Sequence, residues 1–246
     1  MPRFFVASPR IIQGLATISG QEARHIQRVL RLAVGDPITI FDGTGKEYNS
    51  RIARQDRHTV TVEVQETMTP VRESPLRIVM GQSLIKGDRM DFVVQKATEM
   101  GISQVTPFVS SRSIPRLEGH SLEQRLDRWR RIAVESSKQC GRVVPLRIDP
   151  PVPFDRVLDS AERDLKKLIL WEGSTYSIKS LLREMDAPYQ GILFLVGPEG
   201  GFSEDEVRQA ERARFVAVGM GPRILRVETV GISFAGILQY EWGDMG

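Results

Sequence analysis

From residue 76 onward the chain alternates short apolar runs with amphipathic stretches, and this alternation constrains the fold more than any other feature. Apolar runs at 76–83, 104–109, 167–171, 191–196 and 215–219 are separated by segments of helical periodicity at 88–100, 121–139, 153–162, 177–185 and 203–213. A strand that is apolar on both faces needs cover on both, and helices between strands supply it. The pattern therefore predicts an α/β unit built on a parallel sheet. Within 88–100, Met90, Val93, Val94, Ala97 and Met100 recur at helical spacing, the mark of a core-facing stripe.

Residues 1–70 follow a different period. Val60, Val62 and Val64 alternate with Thr59, Thr61 and Glu63, as in a half-buried strand, and strands at 37–41 and 48–53 flank the turn Asp42-Gly43-Thr44-Gly45. One helix interrupts them. Ser19 and Glu22 have capping-box spacing, and Ala23, Ile26, Val29 and Leu30 give the helix an apolar side. The expectation is a small β-barrel or sandwich over 1–70, a linker at 69–75 carrying Pro70 and Pro75, and a second domain over 76–246.

Composition narrows the function. Hydrophobic residues at 41% and charged residues at 26% over 246 positions are globular values. The apolar runs fall short of the roughly 20 residues of a membrane span, and MPRFFVASPR at the start has too short an apolar core for a signal peptide. A cytoplasmic protein without membrane contact is expected. Cys140 is the only cysteine, and His25, His58 and His120 lie far apart, so no disulfide and no close-spaced metal motif are expected.

The richest local signal is LVGPEGGFSEDE at 195–206, which leaves an apolar run and enters a helix. Open α/β sheets bind ligands outside the carboxyl ends of their strands, and Gly197, Gly200 and Gly201 let a ligand approach the backbone. Phosphate is disfavoured there. The P-loop pattern is absent, and G-x-G-x-x-G fails at Ile224 in Gly219-Met220-Gly221-Pro222-Arg223-Ile224. Ser203 and Glu206 form a capping box, with Phe202 and Val207 at staple positions. Glu204, Asp205 and Glu206 then fill the helix's first turn, where they oppose an anion and suit a neutral or cationic ligand. Residues 219–226 form a second glycine-rich strand exit, which would share one pocket with the first. After it, Val230, Phe234, Ile237 and Leu238 form the apolar side of a last helix.

At these residues the chain resembles the RsmE family, 16S ribosomal RNA uridine-N3 methyltransferases of the small subunit, within the SPOUT superfamily. GPEGGFSEDE at 197–206 and GPRILRVET at 221–229 look like its two signatures. RFFV at 3–6, GDRMDFVVQKATEMGI at 87–102 and RWRRIAVESSKQCGR at 128–142 extend the likeness over nearly the whole chain. The resemblance implies an N-terminal PUA-like β-barrel and a C-terminal α/β domain with a trefoil knot, usually a homodimer. The knot is against the general rule that chains do not thread themselves. It also implies S-adenosylmethionine as cofactor, held by three strand exits: Leu170, Trp171 and Glu172; Val196, Gly197, Pro198, Gly200 and Gly201; and Val218, Gly219, Met220, Gly221, Ile224 and Leu225. In similar sequences Thr usually stands at position 227 and a small residue or Thr at 230; here both are valine.

A ribosomal RNA substrate calls for basic side chains against phosphate. Residues 1–31 hold Arg3, Arg10, Arg24, Arg28 and Arg31 against the single acid Glu22, and the last three arginines share one face of an ideal helix. A second set, Arg125, Arg128, Arg130, Arg131, Lys138 and Arg142, is interleaved with Glu123, Asp127 and Glu135 and reads equally as a solvated face. Methylation at uridine N3 needs the proton removed and the developing charge stabilised. Arg223 or Arg226 could stabilise the charge, but arginine stays protonated, and Glu199 is the nearest candidate acceptor. Glu199 could instead bond loop amides, and either arginine could pair with Glu228 or Glu172. Direct transfer without a covalent intermediate is expected. A non-catalytic ribosomal RNA-binding protein and a phosphate-dependent nucleotide enzyme are the rival classes.

Overall fold

The computed structural model describes residues 1–7, 11–113, 120–159, 164–187 and 190–246, and it divides into two units. The first comprises Met1–Glu73 together with Ser137–Pro145, and the second Ser74–Ser136 and Leu146–Gly246. The 137–145 segment thus belongs with the N-terminal strands, although its sequence lies inside the α/β region.

The first unit contains β1 (Arg3–Phe5), β2 (Leu15–Ser19), α1 (Gly20–Arg24), β3 (Pro37–Phe41), β4 (Glu47–Gln55) and β5 (Thr59–Met68). They form a five-stranded sheet in the order β1-β3-β4-β5-β2, antiparallel except for the β1–β3 pair. Phe4, Ile18, Ile38, Ile40, Val60 and Val62 fill its core. The β3–β4 turn is tied by Asp42, which accepts from the Thr44 amide at 2.8 Å, the Thr44 hydroxyl at 2.7 Å and the Tyr48 hydroxyl at 2.9 Å. Gly43 and Gly45 take φ of 81° and 97° there, values open to glycine.

The helix of this unit departs from the sequence reading. Ser19 makes no side-chain cap; the Glu22 carboxylate instead receives Lys138 Nζ at 2.9 and 3.1 Å. After Arg24 the chain continues as a π-helix over His25–Val29, with the Leu30 amide donating to the His25 carbonyl. The wider turn rotates later residues off the expected face. Ala23 and Ile26 stay buried, whereas Val29 and Leu30 are exposed. Arg31 lies past the helix at φ 53°, so Arg24, Arg28 and Arg31 do not form one helical row, although all three are exposed. Arg3 is corrected more strongly. Its side chain is 12% exposed, pairs with Glu47 at 3.0 Å and donates to the carbonyls of Ser137 and Arg142, so it braces the fold and is closed to RNA. Arg10 lies outside the described residues.

The second unit contains β6 (Ile78–Ser83), α2 (Arg89–Glu99), β7 (Gln104–Val109), α3 (His120–Cys140), β8 (Arg147–Ile148), β9 (Val152–Pro153), α4 (Phe154–Asp159), β10 (Lys166–Leu170), α5 (Ile178–Glu184), β11 (Ile192–Val196), α6 (Glu204–Arg212), β12 (Val216–Val218) and α7 (Val227–Trp242). Every strand pair in it is parallel, in the order β12-β10-β11-β6-β7-β8, with β9 also on β7. All five residues of β11 are buried. Phe194 faces one core with Val94, Trp129 and Phe234, while Leu193 and Leu195 face the other with Phe154 and Val207. Both faces of the sheet are covered, which is why its strands read as continuous apolar runs. Met90, Val93, Val94 and Ala97 of α2 are buried in the first core and Met100 packs against it. No helix among the described residues is long and apolar enough to cross a membrane.

Candidate functional site

The order β12-β10-β11 makes the three glycine-bearing exits neighbours at one end of the sheet. Between them lies a cavity of about 700 Å³, inside the ~300–1,000 Å³ range of small-molecule sites. Leu170, Trp171 and Glu172 of the β10 exit line it, as do Val196, Gly197, Pro198, Gly200 and Gly201 of the β11 exit. Met220, Gly221, Ile224 and Leu225 of the β12 exit complete the wall. Glu199, Arg223 and Arg226 reach the same cavity.

Val218 and Gly219 do not line it, and their role is different. The Val218 carbonyl accepts from the Trp171 amide, the Gly219 amide donates to the Tyr176 carbonyl, and the Gly219 carbonyl accepts from the Ile178 amide. A Cβ on Gly219 would come within 2.7 Å of the Ser174 carbonyl oxygen. The chain leaving β12 therefore passes directly over the backbone leaving β10, and glycine permits the approach.

The β11 loop is fixed from several sides. Its start into α6 is the capping box expected from sequence, with Ser203 and Glu206 exchanging bonds and Phe202 and Val207 both buried. Glu206 is 4% exposed and also accepts from the Ser111 amide at 2.7 Å. Arg112 donates to the Gly200 carbonyl at 2.7 Å. Gly201 takes φ of 66°, and a Cβ there would lie 2.5 Å from Glu172 Oε1.

The charge argument made from the α6 first turn is corrected in its particulars. Glu204 and Asp205 are exposed and paired with Arg208, Glu206 is turned into the capping box, and none of the three lines the cavity. The carboxylates that do line it are Glu172, Glu199 and Glu228. Glu199 Oε1 accepts from Arg89 Nη1 and from the Lys86 amide, both at 3.1 Å. Held through Oε1 by a guanidinium and an amide, Glu199 braces the loop, one of the two roles that the sequence left open for it. Arg226 is 87% exposed and 4.0 Å from Glu228, while Arg223 is exposed and has no ion-pair partner among the described residues. Tyr176, on the β10 exit, has its hydroxyl pKa raised by desolvation and by its 2.9 Å bond to Glu184.

Sequence reasoning missed Arg89, Phe202, Val227, Glu228 and Val230 as wall residues. Arg89 was visible only as part of a quoted motif, and its position depends on the β6–α2 connection coming to the same sheet end. Among the described residues no group of His, Cys, Asp and Glu is placed to hold a metal ion. In the second basic set, Arg128 pairs with Asp91 and Arg130 with Asp127, while Arg142 is buried against Glu73. These residues serve local ion pairs.

Three backbone loops supply amides and carbonyls to the cavity, and its wall carries charges of both signs, the carboxylates of Glu172, Glu199 and Glu228 and the guanidinium groups of Arg89, Arg223 and Arg226. Glu228 Oε2 is buried and lacks a hydrogen-bond partner in the protein.

Comparison with known proteins accords with this geometry. Residues 72–239 match the model of an RNA methyltransferase domain and residues 18–65 that of an RNA methyltransferase PUA domain. The structure of ribosomal RNA small subunit methyltransferase E from Neisseria gonorrhoeae bound to S-adenosyl methionine is 34% identical, covers 100% of both chains and superposes with a TM-score of 0.90. A putative methyltransferase from Legionella pneumophila, in complex with bound cofactor SAM, is 30% identical over 99% of this chain and 98% of that one, with a TM-score of 0.91. Ribosomal RNA small subunit methyltransferase E of Bacillus subtilis is 29% identical over 92% of this chain and 90% of its own. With a PUA-type sheet, a parallel α/β unit and a cavity at three adjoining strand exits, this chain belongs to the ribosomal RNA small subunit methyltransferase E family.

Proposed function

We propose that this protein methylates N3 of a uridine in small-subunit (16S) ribosomal RNA with S-adenosylmethionine as methyl donor. The observation that carries the reading is the cavity formed by the exits of β10, β11 and β12, walled by backbone, three carboxylates and three arginines. When bound, the cofactor supplies a methyl group made electrophilic by a sulfonium. The backbone around Leu170–Glu172, Gly197–Gly201 and Met220–Leu225 would hold it, and Gly201 and Gly221, at φ 66° and 96°, shape the loops for close approach. Arg223 and Arg226 line the cavity with exposed guanidinium groups, that of Arg226 4.0 Å from Glu228, and would stabilise charge on the uracil carbonyls.

The close passage of Gly219 over Ser174–Ile178 supports the deep trefoil knot implied by the family resemblance. The N-terminal PUA unit offers Arg24, Arg28 and Arg31 to RNA phosphates. A cytoplasmic homodimer acting on the small ribosomal subunit completes the reading. The test is to incubate purified protein with unmodified small-subunit RNA, or assembled subunits, and methyl-labelled S-adenosylmethionine, then digest to nucleosides and identify the product by mass. Labelled 3-methyluridine is the expected result. Label on another nucleoside would refute the N3 assignment, and RNA binding with no label would point to a non-catalytic RNA-binding protein.

A further inference from the structure

The cavity wall carries three carboxylates, and the structure treats them differently. Glu199 is engaged through Oε1 by Arg89 and the Lys86 amide. Glu228 has one oxygen 4.0 Å from Arg226 and the other buried. Glu172, directly after β10, is exposed, and among the described residues it accepts no hydrogen bond and forms no ion pair. Its place is nevertheless defined. A Cβ on Gly201 would lie 2.5 Å from Glu172 Oε1 and 3.4 Å from Oε2, so both oxygens rest over the β11 loop in space that glycine leaves. The Gly201 amide is committed elsewhere, to the Pro198 carbonyl at 2.9 Å. The Glu172 carboxylate thus lies on the loop without bracing it, on an exposed residue of the cavity wall.

S-Adenosylmethionine offers three kinds of hydrogen-bond donor to such a wall. Its ammonium shares one carbon with a carboxylate, so that end matches places where both signs stand together, as at Arg89 with Glu199 and Arg226 with Glu228. The adenine amino group stands beside a ring acceptor and matches a backbone carbonyl and amide. The ribose presents two hydroxyls side by side and no charge, and an ionised carboxylate, which only accepts, can take one bond on each oxygen. Glu172, with no cation paired to it among the described residues, fits that third group. We propose that Glu172 binds the ribose of the cofactor, accepting from its 2′- and 3′-hydroxyls, an inference that rests on the S-adenosylmethionine reading above. Gly201 supports this role by leaving the space in which the carboxylate lies. A site built this way rejects a ligand that lacks a hydroxyl, because the charged acceptor is then left without its donor.

The test is a cycle between protein and ligand, read as Kd by isothermal titration. Wild type and Glu172→Ala, the variant checked for folding by its thermal unfolding, are each titrated with S-adenosylhomocysteine, its 2′-deoxy and 3′-deoxy analogues, and an analogue lacking the amino group. S-Adenosylhomocysteine keeps the ribose and the amino-acid end of the cofactor without its reactive methyl. Wild type should bind the parent roughly 10- to 100-fold more tightly than either deoxy analogue, and Glu172→Ala should bind all three within about threefold of one another. Loss of the amino group should weaken both proteins by the same factor. Undiminished discrimination against the deoxy analogues in Glu172→Ala would overturn the inference, as would a wild type that does not discriminate. A variant that loses discrimination only toward the amino group would place Glu172 at the ammonium and overturn it too. If wild type binds neither S-adenosylmethionine nor S-adenosylhomocysteine, the cofactor reading fails and takes this inference with it.

Discussion

Glu206 fixes the wall of the cavity although it does not touch it, and its removal should show how. Its carboxylate accepts from the Ser111 amide at 2.7 Å, the Ser203 amide at 2.9 Å and the Ser203 hydroxyl at 3.1 Å, in a residue 4% exposed. Glu206→Ala leaves two backbone donors without an acceptor in a place water barely reaches. A charge-assisted bond to the Ser111 amide contributes about 1.5–3 kcal/mol and the capping box about 1 kcal/mol, so a loss near 3 kcal/mol is expected. With a urea m-value of about 3 kcal/mol/M, the tryptophan-monitored midpoint should fall by about 1 M at unchanged slope. Glu204→Ala removes an acid two positions away that is 76% exposed and paired only with Arg208, and it should change stability by less than about 0.5 kcal/mol. Because Ser111 leads into Arg112, which holds the Gly200 carbonyl, Glu206→Ala should also weaken S-adenosylmethionine binding. A midpoint shift below about 0.3 M, or equal shifts for both variants, would refute the claim that buried capping geometry positions this loop.

Arg89→Ala removes a partly exposed pair to Glu199; calorimetry should show S-adenosylmethionine Kd raised several-fold while unfolding stability changes by under about 1 kcal/mol. Gly219→Ala pushes a Cβ to 2.7 Å from the Ser174 carbonyl and should destabilise the second unit by about 1–3 kcal/mol in denaturant unfolding. Arg3→Ala leaves buried Glu47 with Arg72 as its remaining cation and should cost about 1.5–3 kcal/mol, whereas Arg24→Ala and Arg28→Ala should leave stability intact and each lower the salt slope of RNA binding by about one, measured by filter binding. Burial raises the Asp42 carboxyl pKa, but bonds from the Thr44 hydroxyl and amide, the Tyr48 hydroxyl and the Lys46 amide outweigh it and hold the group below its ordinary value. A depressed folded-state pKa contributes stability that is present above about pH 4 and lost as pH falls through the folded value. Asp42→Asn should therefore flatten the acid limb of a Tm-against-pH series.

Much of this was legible because the informative signals are local. The apolar runs at 104–109 and 191–196 carry their burial in their composition, and Ser203 with Glu206 declares a helix start that the structure reproduces in both hydrogen bonds. The β12-β10-β11 adjacency follows from no periodicity, and yet it gathers three loops into one cavity. Non-local partners account for the failures. Ser19 and Glu22 have the same spacing as Ser203 and Glu206, but Lys138, distant in sequence, takes the Glu22 carboxylate and the π-turn at His25–Val29 breaks the arginine row. Arg3 reads as a free basic residue until Glu47 and the carbonyls of Ser137 and Arg142 surround it. At the site, the acids of the first turn of α6 turn away from the cavity, and the carboxylates that line it, Glu172, Glu199 and Glu228, come from three separate loops.

The central claim is that the three strand exits hold a sulfonium cofactor and not a phosphate ligand. Isothermal titration of the purified protein with S-adenosylmethionine, ATP and NAD tests it directly. One S-adenosylmethionine per chain with no measurable heat from ATP or NAD is the predicted result, and saturable binding of either phosphate ligand in place of S-adenosylmethionine would contradict it.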